Sequence, residues 1–211
     1  MTKKEKVLII KEYFDSEYAD ATCSLDYKDP FQLLVATQLA AQCTDARVNM
    51  VTPSLFAKFP TVKAFAEADM TEMEMAIKST GFYHNKARNL IACAQKLLSD
   101  FGGVVPQTME ELLSLPGVGR KTANLLLGDI FGQPAIVVDT HAKRITNRLG
   151  LTKNEDPTKI EMDLRKIIPL EAGSDFCHKL VYHGRALCTA RGPKCGLCGL
   201  QNVCDYYKKN K

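Results

Sequence analysis

The pattern of apolar and polar positions reads as almost wholly helical. Near the start, Val7, Ile10, Phe14 and Tyr18 share one face of a predicted surface helix. Asp29-Pro30 predicts a helix start, with Asp as N-cap and Pro at the first helical position. The stretch that follows, Phe31 to Ala40, is apolar nearly all round, so this helix should be central and buried. Thr44-Asp45 caps a segment running toward Phe59, which Pro53 should kink or split. Thr61 and Thr71 each open a short helix. From Asn85 to about Asp100 a longer amphipathic helix turns Ala87, Leu90, Ile91, Ala94 and Leu97 inward, and Gly102-Gly103 ends it. Further helices fit residues 108–115, 121–130, 140–149, 157–168 and 174–187. Ile136-Val137-Val138 has strand character but no partner strand, so it reads as a buried connector. Loops are short, so neighbouring helices should pack closely. The tail from Tyr206 onward is polar and should fray.

Length and composition narrow this picture. A chain of 211 residues suits one domain or two small lobes. Its 45% hydrophobic and 25% charged residues are ordinary for a globular protein, and no apolar run approaches a membrane span. Val7 to Ile10 is too short for the core of a signal peptide, and Lys11-Glu12 follow at once, so a cytoplasmic protein is expected. The net charge of +4 is unevenly spread: residues 1–117 hold 12 basic and 15 acidic side chains, residues 118–211 hold 16 and 9. The basic half is compatible with a polyanion partner, and equally with a solvated surface. The eight cysteines should be reduced in that compartment.

Candidate chemistry begins at Leu115-Pro116-Gly117-Val118-Gly119-Arg120-Lys121-Thr122-Ala123-Asn124. One helix ends and another begins within a few residues. Gly117 and Gly119 permit a tight backbone turn and bare the N–H groups that open the second helix. Those groups, with the helix dipole, suit a DNA phosphate. With Pro116 and the basic pair Arg120-Lys121, the motif fits a helix-hairpin-helix DNA clamp rather than a bare turn. Lys121 falls in the first turn of a helix, where the dipole favours a neutral amine over an ammonium. A neutral amine can form a Schiff base. On the motif alone, the simpler reading of Lys121 is a lysine that pairs with phosphate or points to water.

Asp139, in Val138-Asp139-Thr140-His141, stands where an N-cap is expected. A carboxylate held there is fixed in direction, and it could also accept a proton or stabilise a cationic sugar. His141, Lys143, Arg144 and Arg148 follow on the same helix, with Ile145 and Leu149 toward the core and the cations outward, suited to phosphate or to water. His141 taken alone reads as a local structural residue.

Cys188-x6-Cys195-x2-Cys198-x5-Cys204 is the most specific signal. Four thiolates in so short a span can enclose one soft metal centre. Disulfides are disfavoured in a reduced compartment. Zinc is the stronger rival, but zinc ribbons usually carry two Cys-x2-Cys knuckles and here there is one. The spacing therefore points to a [4Fe–4S] cluster of structural role. Arg191 and Lys194 lie in the loop between the first two ligands, with Arg185 just upstream, and would make a phosphate-binding device.

These motifs together resemble the endonuclease III family. The match lies in residues 115–124, in Val-Asp-Thr-His at 138–141, in His-Gly-Arg at 183–185 and in the cysteine spacing, and it runs from about residue 5 to about 206. The resemblance implies an all-α, two-lobed helix-hairpin-helix glycosylase fold. One lobe would be a six-helix barrel over residues 22–133; residues 1–21 and 134–211 would form the other, carrying the iron–sulfur cluster. DNA would bind across the cleft between them. Lys121 would be the nucleophile and Asp139 its catalytic partner. The family also fills the hole left by a flipped base with a polar residue and wedges an apolar one beside it. The matching positions are Gln42 and Phe82. The family wedge is often Leu, so Phe82 departs from the pattern.

The implied protein is a monomeric DNA glycosylase and abasic-site lyase that acts on double-stranded DNA bearing oxidised pyrimidines or abasic sites. Two rivals stand beside it. Sister glycosylases that remove mismatched adenine or thymine with an activated water share the hairpin, aspartate and cysteines but lack lysine at position 121. A non-catalytic DNA-binding or electron-transfer protein would leave Lys121 and Asp139 without a joint purpose.

Overall fold

The computed structural model describes residues 1–210. Among them every regular element is helical: α1 (Lys3–Glu17), α2 (Pro30–Leu39), α3 (Asp45–Lys58), α4 (Val62–Ala66), α5 (Met70–Ile77), α6 (Tyr83–Phe101), α7 (Met109–Ser114), α8 (Arg120–Asp129), α9 (Thr140–Arg148), α10 (Pro157–Arg165), α11 (Gly173–Ala186) and α12 (Asp205–Lys209), with short 3-10 turns between some of them. No helix is long and apolar enough to cross a membrane. The all-helical expectation holds, and the 136–138 stretch is an irregular connector with Ile136 and Val137 buried.

The chain forms two compact units, Cys23–Phe131 and the combination of Met1–Thr22 with the chain from Gly132 onward. In the first unit, α6 packs against α2, α4 and α5, while α2 also meets α3 and α8, and α7 meets α8. The apolar stripe of α6 explains its place: Ala87, Leu90, Ile91, Ala94 and Leu97 are all buried. Leu33, Leu34, Leu39, Leu55 and Phe65 complete the interior without measurable exposure. In the second unit, α11 packs against α1 and α9, and α12 against α9. Val7, Ile10 and Phe14 of α1 and Phe176 and Leu180 of α11 are all buried, and the Phe14 and Phe176 rings meet at 5.4 Å between centroids. Lys179, also buried there, is held by Asp15 at 2.6 Å and Asp175 at 2.7 Å.

Side-chain caps define most helix starts. Asp29, Thr44, Thr61, Thr108, Asp139 and Asp156 each accept a hydrogen bond from a first-turn N–H. Several expectations need correction. Asp69, not Thr71, caps α5, because its carboxylate reaches the N–H of Glu72 at 3.0 Å. Pro53 does not split α3, which runs through it; buried Val48, Val51, Thr52 and Leu55 hold both sides against the core. Helix α10 stops at Arg165, short of residue 168. The tail does not fray at Tyr206: it is helical to Lys209, because Asp205 pairs with Lys6 at 2.7 Å and Tyr206 stacks under Arg148.

Candidate active site and cysteine loop

The hairpin joins α7 to α8. Leu115 and Val118 anchor it in the core, and the Val118 N–H closes the turn on the Leu115 carbonyl at 3.1 Å. Gly117 adopts φ +77°, and a Cβ there would lie 2.5 Å from Gln38 Oε1 and 2.9 Å from Asn89 Cβ. Its glycine character is a steric necessity. Gly119 differs: φ is −100° and a Cβ would meet nothing within 4 Å. As N-cap of α8 it has no side chain to offer the first-turn N–H groups of that helix. Lys121 is exposed in that first turn, while Ala123, Leu125, Leu126 and Leu127 bury the other face of α8.

Asp139 is half-buried at the start of α9, and its Oδ1 accepts the Ala142 N–H at 2.7 Å. The cap fixes the carboxylate's direction. His141 lies one residue into the helix, with Nδ1 3.1 Å from an Arg144 nitrogen. Arg144 does not face outward as expected. Its Nε and Nη2 donate to the Cys188 carbonyl at 3.1 and 2.9 Å. Arg148 behaves alike, donating to the carbonyls of Thr189 at 2.7 Å and Ala190 at 3.1 Å. Both guanidiniums are drawn inward because the loop after α11 presents carbonyls with no helix to satisfy them. Arg191 and Lys194 in the same loop are exposed.

The four C-terminal cysteines line one cavity of about 30 Å³, together with Ile145, Leu149, His183 and Leu200. No three His, Cys, Asp or Glu among the described residues are placed to hold a single metal ion. Burial pushes the Cys198 thiol up, and the charges of Cys204, Cys188 and Cys195 add to this. Cys204 is raised by burial first, and then by Cys188 and Cys195. Held as thiolates, the four cysteines would need a cationic centre to offset burial and mutual repulsion. Four sulfur donors are the chemistry that an iron–sulfur cluster would use. His183, pushed down to about 4 by burial and then by Arg144, is neutral there; its Nδ1 faces Tyr18 Oη at 3.0 Å and its Nε2 lies 3.8 Å from Cys198 Sγ.

Gln42 and Phe82 are both exposed, and they are the only non-glycine residues with positive φ among those described, at 54° and 49°. Gln42 follows the end of α2, and Phe82 is the N-cap position of α6. Sequence reasoning missed Lys86, which is 6% exposed and donates to the carbonyls of Leu39 at 2.8 Å and Thr80 at 2.9 Å. A signal existed, since Lys86 interrupts the apolar stripe of Leu90, Cys93 and Leu97. It also missed the inward roles of Arg144 and Arg148, for which no local signal exists.

An all-helical chain with a glycine hairpin at 116–119 and a capping aspartate after a buried connector is the build of helix-hairpin-helix repair proteins. The profile of the "HhH-GPD superfamily base excision DNA repair protein" family matches residues 35–170. Endonuclease III of Synechocystis sp. is 52% identical over 96% of this chain and 93% of its own length. Endonuclease III of Bacillus subtilis is 42% identical over 89% of this chain and 86% of its own. An endonuclease III solved in a non-covalent complex with DNA superposes with a TM-score of 0.94 at 41% identity, covering 100% of this chain and 99% of that one. The chain belongs to the endonuclease III family. It is a base excision repair enzyme, of the DNA glycosylase and abasic-site lyase class.

Proposed function

We propose that this enzyme excises oxidised pyrimidines from double-stranded DNA with Lys121 as nucleophile, and then cleaves the strand at the abasic site. The observation that carries this reading is the hairpin: an exposed lysine in the first turn of a helix whose N-terminus has no side-chain cap. The N–H groups opened by Gly119 hold a phosphate, while Lys121 Nζ attacks the sugar C1′. The glycosidic bond breaks and the base departs with the bonding electron pair, protonated as it leaves. Loss of a proton from nitrogen and ring opening give the Schiff base. The imine acidifies C2′, a proton is lost there, and the 3′ phosphate leaves by β-elimination. Asp139, held in direction by its cap, stabilises the cationic sugar and assists proton movement.

Gln42 and Phe82 enter the space left by the flipped base, Gln42 by hydrogen bonding and Phe82 by wedging its ring. Arg191 and Lys194 contact phosphates from the cysteine loop. His141 and Arg144 act behind them, ordering that loop rather than meeting DNA directly. Cys188, Cys195, Cys198 and Cys204 would hold a [4Fe–4S] cluster, whose contribution when bound is the cationic centre around which the basic loop is organised. The proposed lobes are residues 22–133, bearing the hairpin, and residues 1–21 with 134–211, bearing the cluster. The enzyme acts as a monomer in the cytoplasm.

The test is borohydride trapping on an abasic-site duplex, run beside a panel of duplexes with defined oxidised pyrimidines. Wild type should give a covalent adduct and cut the oxidised lesions; Lys121→Gln should give neither while keeping its fold. An adduct with Lys121→Gln would refute the assignment of the nucleophile. Purified protein should be brown, with a broad visible absorption band; a colourless zinc protein would refute the cluster.

A further inference from the structure

Lys86 breaks several local rules at once. It is a buried cation on the apolar face of α6, and it lies in that helix's first turn, where the dipole disfavours positive charge. No carboxylate pairs with it among the described residues. Burial lowers its pKa, against a partial opposing effect from Cys43. A residue kept at such cost needs a reason beyond packing.

Its two acceptors supply one. Leu39 is the last residue of α2. The Cys43 N–H, which would complete a further turn on the Leu39 carbonyl, instead bonds Ala40 at 3.1 Å. The Leu39 carbonyl is left at the negative end of the α2 dipole, and Lys86 Nζ satisfies it at 2.8 Å. The second acceptor, the Thr80 carbonyl, belongs to the last residue of the 3-10 turn Lys78–Thr80, which the Gly81 N–H closes on the Lys78 carbonyl just before Phe82. One ammonium therefore ties together the turn that ends at Gln42 and the turn that ends at Phe82. Those two residues hold the strained positive φ angles, each of which costs about 1 kcal/mol or more unless its surroundings over-determine it.

We infer that Lys86 is a positioning residue: by bonding the Leu39 and Thr80 carbonyls it presets Gln42 and Phe82 as one rigid pair for the gap opened in damaged DNA. This rests on the reading of Gln42 and Phe82 as gap-filling residues. Lys86 itself touches no substrate. Without it the two turns would relax independently, and the pair would have to be ordered at the moment of binding.

The test uses the full chain with its cluster loaded and a duplex containing a tetrahydrofuran abasic analogue, which binds but cannot form a Schiff base. Dissociation constants are measured for wild type, Lys86→Met, the Gln42→Ala/Phe82→Ala double variant and the triple variant, with undamaged duplex as reference. Lys86→Met should weaken binding to the analogue about tenfold and change binding to undamaged duplex less than about twofold. The triple variant should bind no more weakly than the double variant, because Lys86 acts only through those two residues. Full multiplication of the two losses would overturn the proposal. A double variant that binds the analogue like wild type would instead sink the reading of Gln42 and Phe82, and the inference with it. Should Lys86→Met not fold, hydrogen exchange on wild type decides: residues 39–44 and 80–86 should gain protection together when the analogue duplex binds, and protection of one segment alone would overturn the proposal.

Discussion

Gly117 and Gly119 stand two residues apart and do opposite work. Gly117 holds φ +77°, with Gln38 and Asn89 filling the space a Cβ would need. Gly117→Ala should lower stability by about 1–3 kcal/mol, read from urea unfolding. Gly119 has ordinary backbone angles and open space around it. Gly119→Ala should shift stability by no more than about 0.5 kcal/mol yet weaken DNA binding, since the added methyl would take up open space at the α8 N-terminus that the proposed phosphate would approach. A Gly119→Ala variant with normal DNA affinity would remove the phosphate site from this turn. The Gly-x-Gly pattern was legible in the sequence. Which of the two glycines the packing requires was not, because Gln38 and Asn89 come from distant positions.

At the scale of the element, α9 and α11 meet so closely that Gly184 is the only residue that fits its place. A Cβ there would lie 2.3 Å from His141 Nδ1 and 2.9 Å from Arg144 Nη2. In a helix interior Gly→Ala usually stabilises by about 1 kcal/mol. Here the sign should reverse, with Gly184→Ala costing about 1–3 kcal/mol in urea unfolding. Arg148 joins α9 to the cysteine loop through the Thr189 and Ala190 carbonyls, and its guanidinium lies 4.7 Å from the Tyr206 ring centre. Arg148→Met should leave those carbonyls unpaired and, with the proposed cluster loaded, speed loss of its visible absorption band under an iron chelator. Unchanged loss would show that the loop holds its shape without α9. Most helix starts were legible because a capping side chain lies next to the N–H it serves, although Asp69 rather than Thr71 opens α5. The helical tail was not, because Lys6 and Arg148, which hold it, are remote in sequence.

Across the whole molecule, charge pairing sets a pH limit on stability. Asp15 has its pKa lowered by hydrogen bonds first from Lys11 and then from Lys179. Because the folded value lies below the unfolded one, its stabilising effect is complete above the ordinary carboxylate range and is lost as pH falls through the folded value. Melting temperatures of wild type and Asp15→Asn should therefore differ most near neutrality and converge in acid once pH has fallen through the lowered folded value. A constant gap would show that the pair adds nothing through ionisation. Lys179 is the mirror case: burial opposes its charge, but hydrogen bonds to Asp15 and Asp175 outweigh it and raise the pKa, so its effect fades only in strong alkali.

Periodicity, caps and spacing reached far into this protein. The helical class, the buried stripe of α6, the hairpin and the set of four cysteines are local patterns, because a helix buries a face that recurs every three or four residues and the four cysteines fall within one short stretch of chain. Packing settled which distant partners the polar groups take. Arg144 and Arg148 turn inward because carbonyls about 40 residues away lack partners. Lys86 is buried because the end of α2, 47 residues earlier, leaves a carbonyl to be satisfied. Long-range partners of polar groups are chosen by three-dimensional proximity, and a linear pattern carries no record of that choice.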